Sequence, residues 1–272
     1  MARPLPTSRG VLVTGASRGV GAAVARAFSA RGDRVVVHHR SADSGARAEG
    51  VLASLSGEGH TVLTADLADP DAVQRLAADA ATALGRVDVL VNNAAMIVAP
   101  GEGGSRRGDH PLELTSYADW VRVWQRTLAT NLLGPANLTW CVARQMIDVP
   151  PADGMPAGRV VNVGSRGAYR GEPDIPAYGA SKAGLHAFGQ SMAQRLAPHG
   201  IAVLSLAPGF IETEMAGPAL EGDAGEHTRA QSPFHRVAQP EEVADAVVAL
   251  ADPWSLWASG AVVDFNGASH LR

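Results

Sequence analysis

Cysteine, lysine and long apolar runs are what this sequence has least of. Its one cysteine, Cys141, has no partner for an internal disulfide and suits a reducing compartment. Lysine is nearly absent, yet charge is close to balance, with 23 Lys+Arg against 27 Asp+Glu and a formal net charge of −4. No block of like charges stands anywhere, so nothing calls for a nucleic-acid or membrane partner. No apolar stretch approaches the ~20 residues that a membrane-spanning helix needs. Residues 1–10 carry arginine but no apolar h-region, so the expectation is a chain without a signal peptide, soluble and cytoplasmic. Repeats and low-complexity tracts are also lacking, and no metal site is expected.

What the chain has is apolar bulk in a regular rhythm. Hydrophobic residues make up 46% of its 272 residues, enough for a large core. Valine-rich runs stand at residues 10–13, 34–38, 61–65, 87–91, 159–163, 201–206 and 260–264. They do not alternate cleanly, as expected of strands buried on both faces. Helical patterns lie between them, at 22–30, 70–84, 117–146, 180–196 and 240–250. A β-α-β-α alternation predicts a parallel sheet, and right-handed crossovers wind it doubly. The expectation is an α/β fold of the Rossmann type: a seven-stranded parallel sheet with helices on both faces. No linker interrupts the series, so residues 1–272 read as a single domain. Three loops exceed what a crossover requires, at 100–115, 148–158 and 209–239. The first and third follow strands and belong at the carboxyl edge, where ligands bind. The second precedes a strand and belongs on the opposite rim, where its prolines make a stiff surface turn.

The first strand leads into Thr14-Gly15-Ala16-Ser17-Arg18-Gly19-Val20-Gly21, and a helix follows at once. Gly15 permits a tight turn, Gly19 close approach to a diphosphate, and Gly21 close helix–strand packing. The helix N-terminus offers free N–H groups to phosphate. The spacing, Gly-x3-Gly-x-Gly, differs from the commoner Gly-x-Gly-x2-Gly, and a plain tight turn is the bland alternative. The second strand ends at His38-His39-Arg40-Ser41, where an NAD site would place an acid for the ribose hydroxyls. None stands there. Arg40 does, and with Arg18 it would suit a 2′-phosphate, so NADP(H) is favoured over NAD(H). Asp66 either accepts from the adenine amino group or caps a short turn.

The chemistry is suggested by Tyr178-Gly179-Ala180-Ser181-Lys182. Positions i and i+4 share a helix face, and an ammonium beside a phenol should pull its pKa below ~10. Ser165 ends a strand and can polarise a carbonyl oxygen, or merely cap its own turn. Asn131, in an apolar helix, either anchors a water leading to Lys182 or satisfies a backbone group.

These residues resemble the short-chain dehydrogenases/reductases along nearly the whole chain. The marks are residues 14–21, Asp66-Leu67, Asn92-Asn93-Ala94-Ala95, Asn131, Ser165, Tyr178-x3-Lys182, and Pro208-Gly209 with Thr213. The resemblance implies that Tyr178 is the catalytic acid/base and that Ser165 orients the carbonyl. It makes Lys182 hold the nicotinamide ribose and tune the tyrosine, and Asn131 anchor a water relay. It extends the cofactor-contacting set, which already holds Gly15, Ser17, Arg18, Gly19, Val20, Gly21, His39, Arg40 and Asp66. The added members are Leu67, Asn93, Ala94, Pro208, Gly209, Ile211 and Thr213, with Tyr178 and Lys182. It also implies a homotetramer or homodimer. Two departures stand out: Ala95 where glycine is usual, and Val263-Asp264-Phe265-Asn266 where Val-Asp-Gly-Gly is common.

The expected reaction is hydride transfer between NADP(H) and a carbonyl or alcohol, most simply reduction of a ketone or 3-oxoacyl group. An NAD-linked alcohol dehydrogenase and a non-catalytic NADP-binding sensor are the alternatives. Residues 209–239 form the candidate substrate loop, a mobile cover with an apolar underside. Met96, Ile97, Tyr169 and Arg170 should border the pocket, with Arg170 either clamping an anion or pairing with Glu172.

Overall fold

The computed structural model describes residues 8–99, 108–151 and 156–272. Its valine-rich runs form seven strands: β1 (Gly10–Val13), β2 (Arg34–His39), β3 (Thr61–Thr64), β4 (Val89–Asn92), β5 (Gly158–Val163), β6 (Ile201–Pro208) and β7 (Val262–Phe265). All pair in parallel within one sheet of order β3-β2-β1-β4-β5-β6-β7. The helices are α1 (Gly19–Ser29), α2 (Gly45–Leu52), α3 (Pro70–Leu84), α4 (Tyr117–Leu128) and α5 (Gly134–Asp148). They continue with α6 (Gly167–Arg170), α7 (Pro176–Leu196), α8 (Gly217–Leu220), α9 (Gly222–Ala230) and α10 (Pro240–Leu250). This is the doubly wound Rossmann-type fold.

The missing polar alternation now has its cause. Val11, Val13, Val35, Val37, Val161 and Leu204 pack on one face, under α1 and α10. Leu12, Val36, Leu90, Val160 and Val203 pack on the other, under α3, α5 and α7. Every second residue meets helices rather than water, so both parities are apolar. The edge strands β3 and β7 are partly exposed along their length. Strand order reverses between β1 and β4, and a crevice opens there at the carboxyl rim.

Local chemistry moved several boundaries. The pattern at 117–146 reads as one helix, but the structure breaks it with a π turn over Ala129–Leu133. Pro135 follows that turn; it lacks an N–H and its ring crowds the preceding turn, which a widened turn relieves. Helix α7 starts at Pro176 rather than 180, with proline at its first position, so Tyr178 lies in its first turn. The last strand starts at 262 rather than 260. Helix α2 was not foreseen, because two of its eight residues are glycine.

The rims are as chain direction requires. Arg86 pairs with Asp88 and donates to the Val149 carbonyl (2.9 Å) and to that of Ala157, so the second loop is tied to the amino ends of β4 and β5. Asp88 also accepts from Gly10 N–H (2.8 Å), at the amino end of β1. The first loop returns at the carboxyl rim, where His110 N–H donates to the Asp174 carbonyl (2.7 Å), just before α7. Residues 100–107 of that loop and 152–155 of the second lie outside the described residues, as do residues 1–7. Among the described residues no helix is long and apolar enough to cross a membrane.

Candidate active site

A cavity of about 610 Å³ runs along the carboxyl rim. It extends from Arg40 and Arg47, past the glycine turn, to Ser165, Tyr178 and Lys182. The turn is built for a close guest. Gly15 and Gly19 have φ of +64° and +53°, a region that costs other residues strain. A Cβ at Gly21 would lie 2.3 Å from the Gly15 carbonyl oxygen, so only glycine lets α1 begin there. Asn93 braces the turn from β4, donating to the carbonyls of Thr14 (2.8 Å) and Gly15 (3.2 Å). Thr14 Oγ1 accepts from the N–H groups of Asn93 and Ala94, each at 3.0 Å. Gly15 N–H donates to His38 Nδ1 (3.1 Å), so that ring carries its proton on Nε2, toward the Ala65 carbonyl (2.9 Å). Burial holds the His38 pKa down at about 4, so the ring is neutral. This backbone cradle fits a dinucleotide diphosphate.

Both arginines of the expected basic pair line the cavity, and Arg18 also forms an ion pair with Glu214 of the substrate loop. Arg47, on the unforeseen α2, lines the same end beside Ser41 and Ser44. No local sequence signal marked it. His39 lines the cavity while its ring bonds Thr64 Oγ1 (2.7 Å). Asp66 takes the capping alternative: Oδ1 accepts from Ala68 N–H (3.0 Å) and Oδ2 from Arg126 (2.5 Å). Its pKa is lowered, since these hydrogen bonds outweigh burial. Ser17, Val20, Leu67, Ala94, Pro208, Gly209, Ile211 and Thr213 all line the cavity. Thr213 Cγ2 would lie 3.3 Å from a Cβ at Gly19, so the loop reaches over the turn.

At the other end, Ser165 stands two residues past the end of β5, and its Oγ accepts from Gly167 N–H (3.0 Å). The Ser165 side chain is hydrogen-bonded to the Tyr178 phenol. Lys182 Nζ lies 5.8 Å from the Tyr178 ring centroid and donates to the Val163 carbonyl (2.8 Å). The sequence reading expected the tyrosine pKa to fall. In this structure it goes the other way, pushed up to about 12 by burial, with Ser165 opposing and Glu172 adding to the rise. Burial likewise pushes Lys182 down to about 8. The ammonium is spent on a backbone carbonyl rather than on the phenol, and desolvation penalises both charged forms.

Asn131 is fully buried in the π turn. Its Oδ1 accepts from Met96 N–H and its Nδ2 donates to the Met96 carbonyl, both at 2.9 Å, and Nδ2 also reaches Ser181 Oγ (3.3 Å). The side chain thus anchors the segment after β4, the backbone-satisfying alternative. Met96 and Ile97 line the cavity as expected. Tyr169 and Arg170 do not appear in its lining. The Tyr169 ring stacks on His186, and Arg170 donates to Gln231 Oε1 (3.0 Å) instead of pairing with Glu172. Among the described residues no group of three His, Cys, Asp or Glu side chains is arranged to hold a metal.

Comparison with known proteins adds four likenesses. A family model described as short chain dehydrogenase matches residues 9–224. A 3-oxoacyl-[acyl-carrier-protein] reductase of Vibrio cholerae serotype O1 is 33% identical over 260 residues, 96% of each chain. A D-threitol dehydrogenase of Mycolicibacterium smegmatis is 32% identical, over 96% of this chain and 92% of that one. Among solved structures, a short chain dehydrogenase from Burkholderia cenocepacia in complex with NADP superposes with a TM-score of 0.81. The two are 28% identical, over 98% and 99% of their lengths.

Proposed function

The chain belongs to the short-chain dehydrogenases, an oxidoreductase acting on carbonyl and alcohol groups with a nicotinamide cofactor, and we propose that Tyr178, Ser165 and Lys182 carry out its carbonyl reduction. NADPH is its cofactor: the NADP-bound relative shares the fold, and Arg40 and Arg47 line one end of the cavity, where their charges would suit a ribose phosphate. The observation that carries the assignment of roles is the half-buried, hydrogen-bonded Tyr178–Ser165 pair with buried Lys182 beside it. That pair stands at one end of a cavity whose other end is a glycine cradle.

The bound nicotinamide supplies the hydride. Ser165 donates a hydrogen bond to the carbonyl oxygen and steadies the charge that builds there. Tyr178 gives its phenolic proton to the same oxygen as the alcohol forms. With a pKa near 12, the phenol is fully protonated at neutral pH and is loaded as an acid. That favours reduction over oxidation, which would need the phenolate first. The Lys182 ammonium offsets the negative charge left on Tyr178. Of the chain's 23 basic side chains, Lys182 is the only lysine. A sequence that uses arginine everywhere else keeps a lysine where a compact ammonium, able to shed its proton when buried, is required. Asn131 supports the site by fixing Met96, which lines the cavity.

The substrate is a small carbonyl compound, of the ketone or 3-oxoacyl type. Met96, Ile97, Ala99 and Met215 give its end of the cavity an apolar lining. The chain works as one domain, in keeping with its single sheet. Assembly as a homotetramer or homodimer is proposed with it: Leu133 and Trp140, seven residues apart on one helical rod, are 55% and 66% exposed and offer apolar contact area. A cytoplasmic setting is proposed from the free Cys141. The test is to measure affinity for both reduced cofactors and then to screen carbonyl compounds. Tighter NADPH binding with turnover of a ketone or 3-oxoacyl thioester is expected. Equal affinities, or no carbonyl turned over, would overturn the reading.

A further inference from the structure

Helix α7 carries a third polar residue on the face of Tyr178 and Lys182. His186 stands one further turn along, at i+8 from Tyr178. It is 3% exposed, and neither ring nitrogen has a hydrogen-bond partner. A buried imidazole left so forfeits the hydrogen bonds it would make in water, so its place needs a reason. Burial and the nearby Lys182 and Arg272 charges hold its pKa down at about 4, with Asp264 opposing, so it is neutral at working pH.

Its neighbours supply the reason. One is Gly164, where a Cβ would lie 1.8 Å from His186 Nε2 and 2.6 Å from Cδ2. Gly164 is not among the glycines with positive φ, so conformation does not demand glycine there. Contact with the ring does. Gly164 joins Val163, whose carbonyl holds Lys182, to Ser165, which bonds Tyr178. Its own N–H is tied to the Leu206 carbonyl (2.7 Å), so the turn cannot retreat freely. The other neighbour is Tyr169, stacked on the imidazole at 5.2 Å with planes 27° apart. Tyr169 lies on α6, whose Gly167 N–H bonds Ser165 Oγ (3.0 Å). Arg272 covers the far side of Tyr169 at 3.9 Å and pairs with Asp264 of β7 (2.9 Å). The imidazole is therefore wedged between the residue before Ser165 and the helix after it.

We propose that His186 is a positioning residue, a neutral wedge that fixes the Val163-Gly164-Ser165 turn and so sets Ser165 and Lys182 against Tyr178. The proposal rests on the catalytic roles assigned above to those three residues. The wedge acts through shape, so a side chain of similar volume without nitrogen can stand in for it, and a smaller one cannot.

The test uses His186→Ala, His186→Leu, Gly164→Ala and the double variant Gly164→Ala/His186→Ala. Turnover is measured alongside NADPH affinity by fluorescence titration and the thermal midpoint, with Tyr178→Phe as control. Gly164→Ala should lower turnover by about 10²-fold, the size of a lost general-acid alignment, with NADPH affinity within threefold of the parent. The double variant should regain at least tenfold of that loss, because the ring that blocked the new methyl is gone. His186→Ala should lose about tenfold in turnover, and His186→Leu should recover most of it with the parental pH profile. If His186→Ala does not fold, the Leu variant and the Gly164→Ala deficit carry the comparison. Parental turnover in folded His186→Ala, or a double variant no better than Gly164→Ala, would overturn the wedge. So would a shifted pH profile in His186→Leu, since a neutral spacer does not titrate. Near-parental turnover in Tyr178→Phe would instead overturn the catalytic roles, leaving the two failures distinguishable.

Discussion

Replacing Lys182 by methionine should change the pH dependence of stability in a way that can be worked out beforehand. Burial lowers the folded-state pKa of Lys182 from 10.5 to about 8. Below pH 8 the native protein holds a desolvated ammonium that the unfolded chain holds in water. Between 8 and 10.5 the unfolded chain binds a proton that the native state has released, so native stability rises with pH across that window. At about 1.36 kcal/mol per unit, the rise is about 3 kcal/mol. The thioether of the Lys182→Met variant carries no such proton. The variant also loses the bond to the Val163 carbonyl, a pH-independent cost of about 1–3 kcal/mol. Near pH 7 the two effects oppose each other, and parent and variant should be within about 2 kcal/mol. By pH 10.5 the variant should be the less stable. The assay is urea unfolding without cofactor, at one protein concentration, from pH 7 to 10.5. The Tyr178 contribution is common to both proteins and cancels to first order in the difference. A parent–variant difference flat across the range would refute the buried-ammonium argument.

Other outcomes follow from the same geometry. Arg40→Asp should erase or reverse the preference for NADPH, read as the ratio of dissociation constants for NADPH and NADH; an unchanged ratio would remove Arg40 from the phosphate site. Glu214→Gln frees Arg18 from an exposed ion pair worth up to about 1 kcal/mol, so NADPH should bind up to about fivefold tighter while NADH binding stays put. Equal tightening of both cofactors would mean that the loop, not the charge, had changed. In pH–rate profiles, ketone reduction should stay flat from pH 6 to 8, where Tyr178 is fully protonated, and fall above 8 as Lys182 loses its proton. Oxidation of the product alcohol should rise about tenfold per pH unit over the same range, because it draws on the scarce phenolate. A flat oxidation profile would contradict a phenol held near 12.

Much of this was legible because the fold repeats one simple device. Valine runs without alternation signalled strands covered on both faces, and they recur with helices between them as far as β7. The glycine turn was legible because its backbone needs, a positive φ at Gly15 and Gly19 and no Cβ at Gly21, allow few other residues. Tyr178 and Lys182 could be paired from their spacing alone. Features set by tertiary packing were not legible. The sign of the Tyr178 pKa shift depends on burial and on Lys182 turning to the Val163 carbonyl, and neither is written in a four-residue spacing. Arg47 lies on a helix whose glycines hide it. Asn131 was left open between a water anchor and a backbone-satisfying role because an isolated asparagine in an apolar helix does not reveal that Met96 satisfies both ends of its amide. Arg18 was drawn toward Glu214, 196 residues away in the chain, which no local pattern encodes.

The central claim is that Tyr178 is the proton donor, and Tyr178→Phe tests it most directly. The change keeps the ring and removes the transferable proton. Single-turnover reduction with NADPH already bound isolates the chemical step from cofactor release. The expected rate is lower by about 10²-fold or more, with the NADPH dissociation constant within about twofold of the parent. A variant that binds NADPH normally and reduces its substrate at the parental single-turnover rate would contradict it.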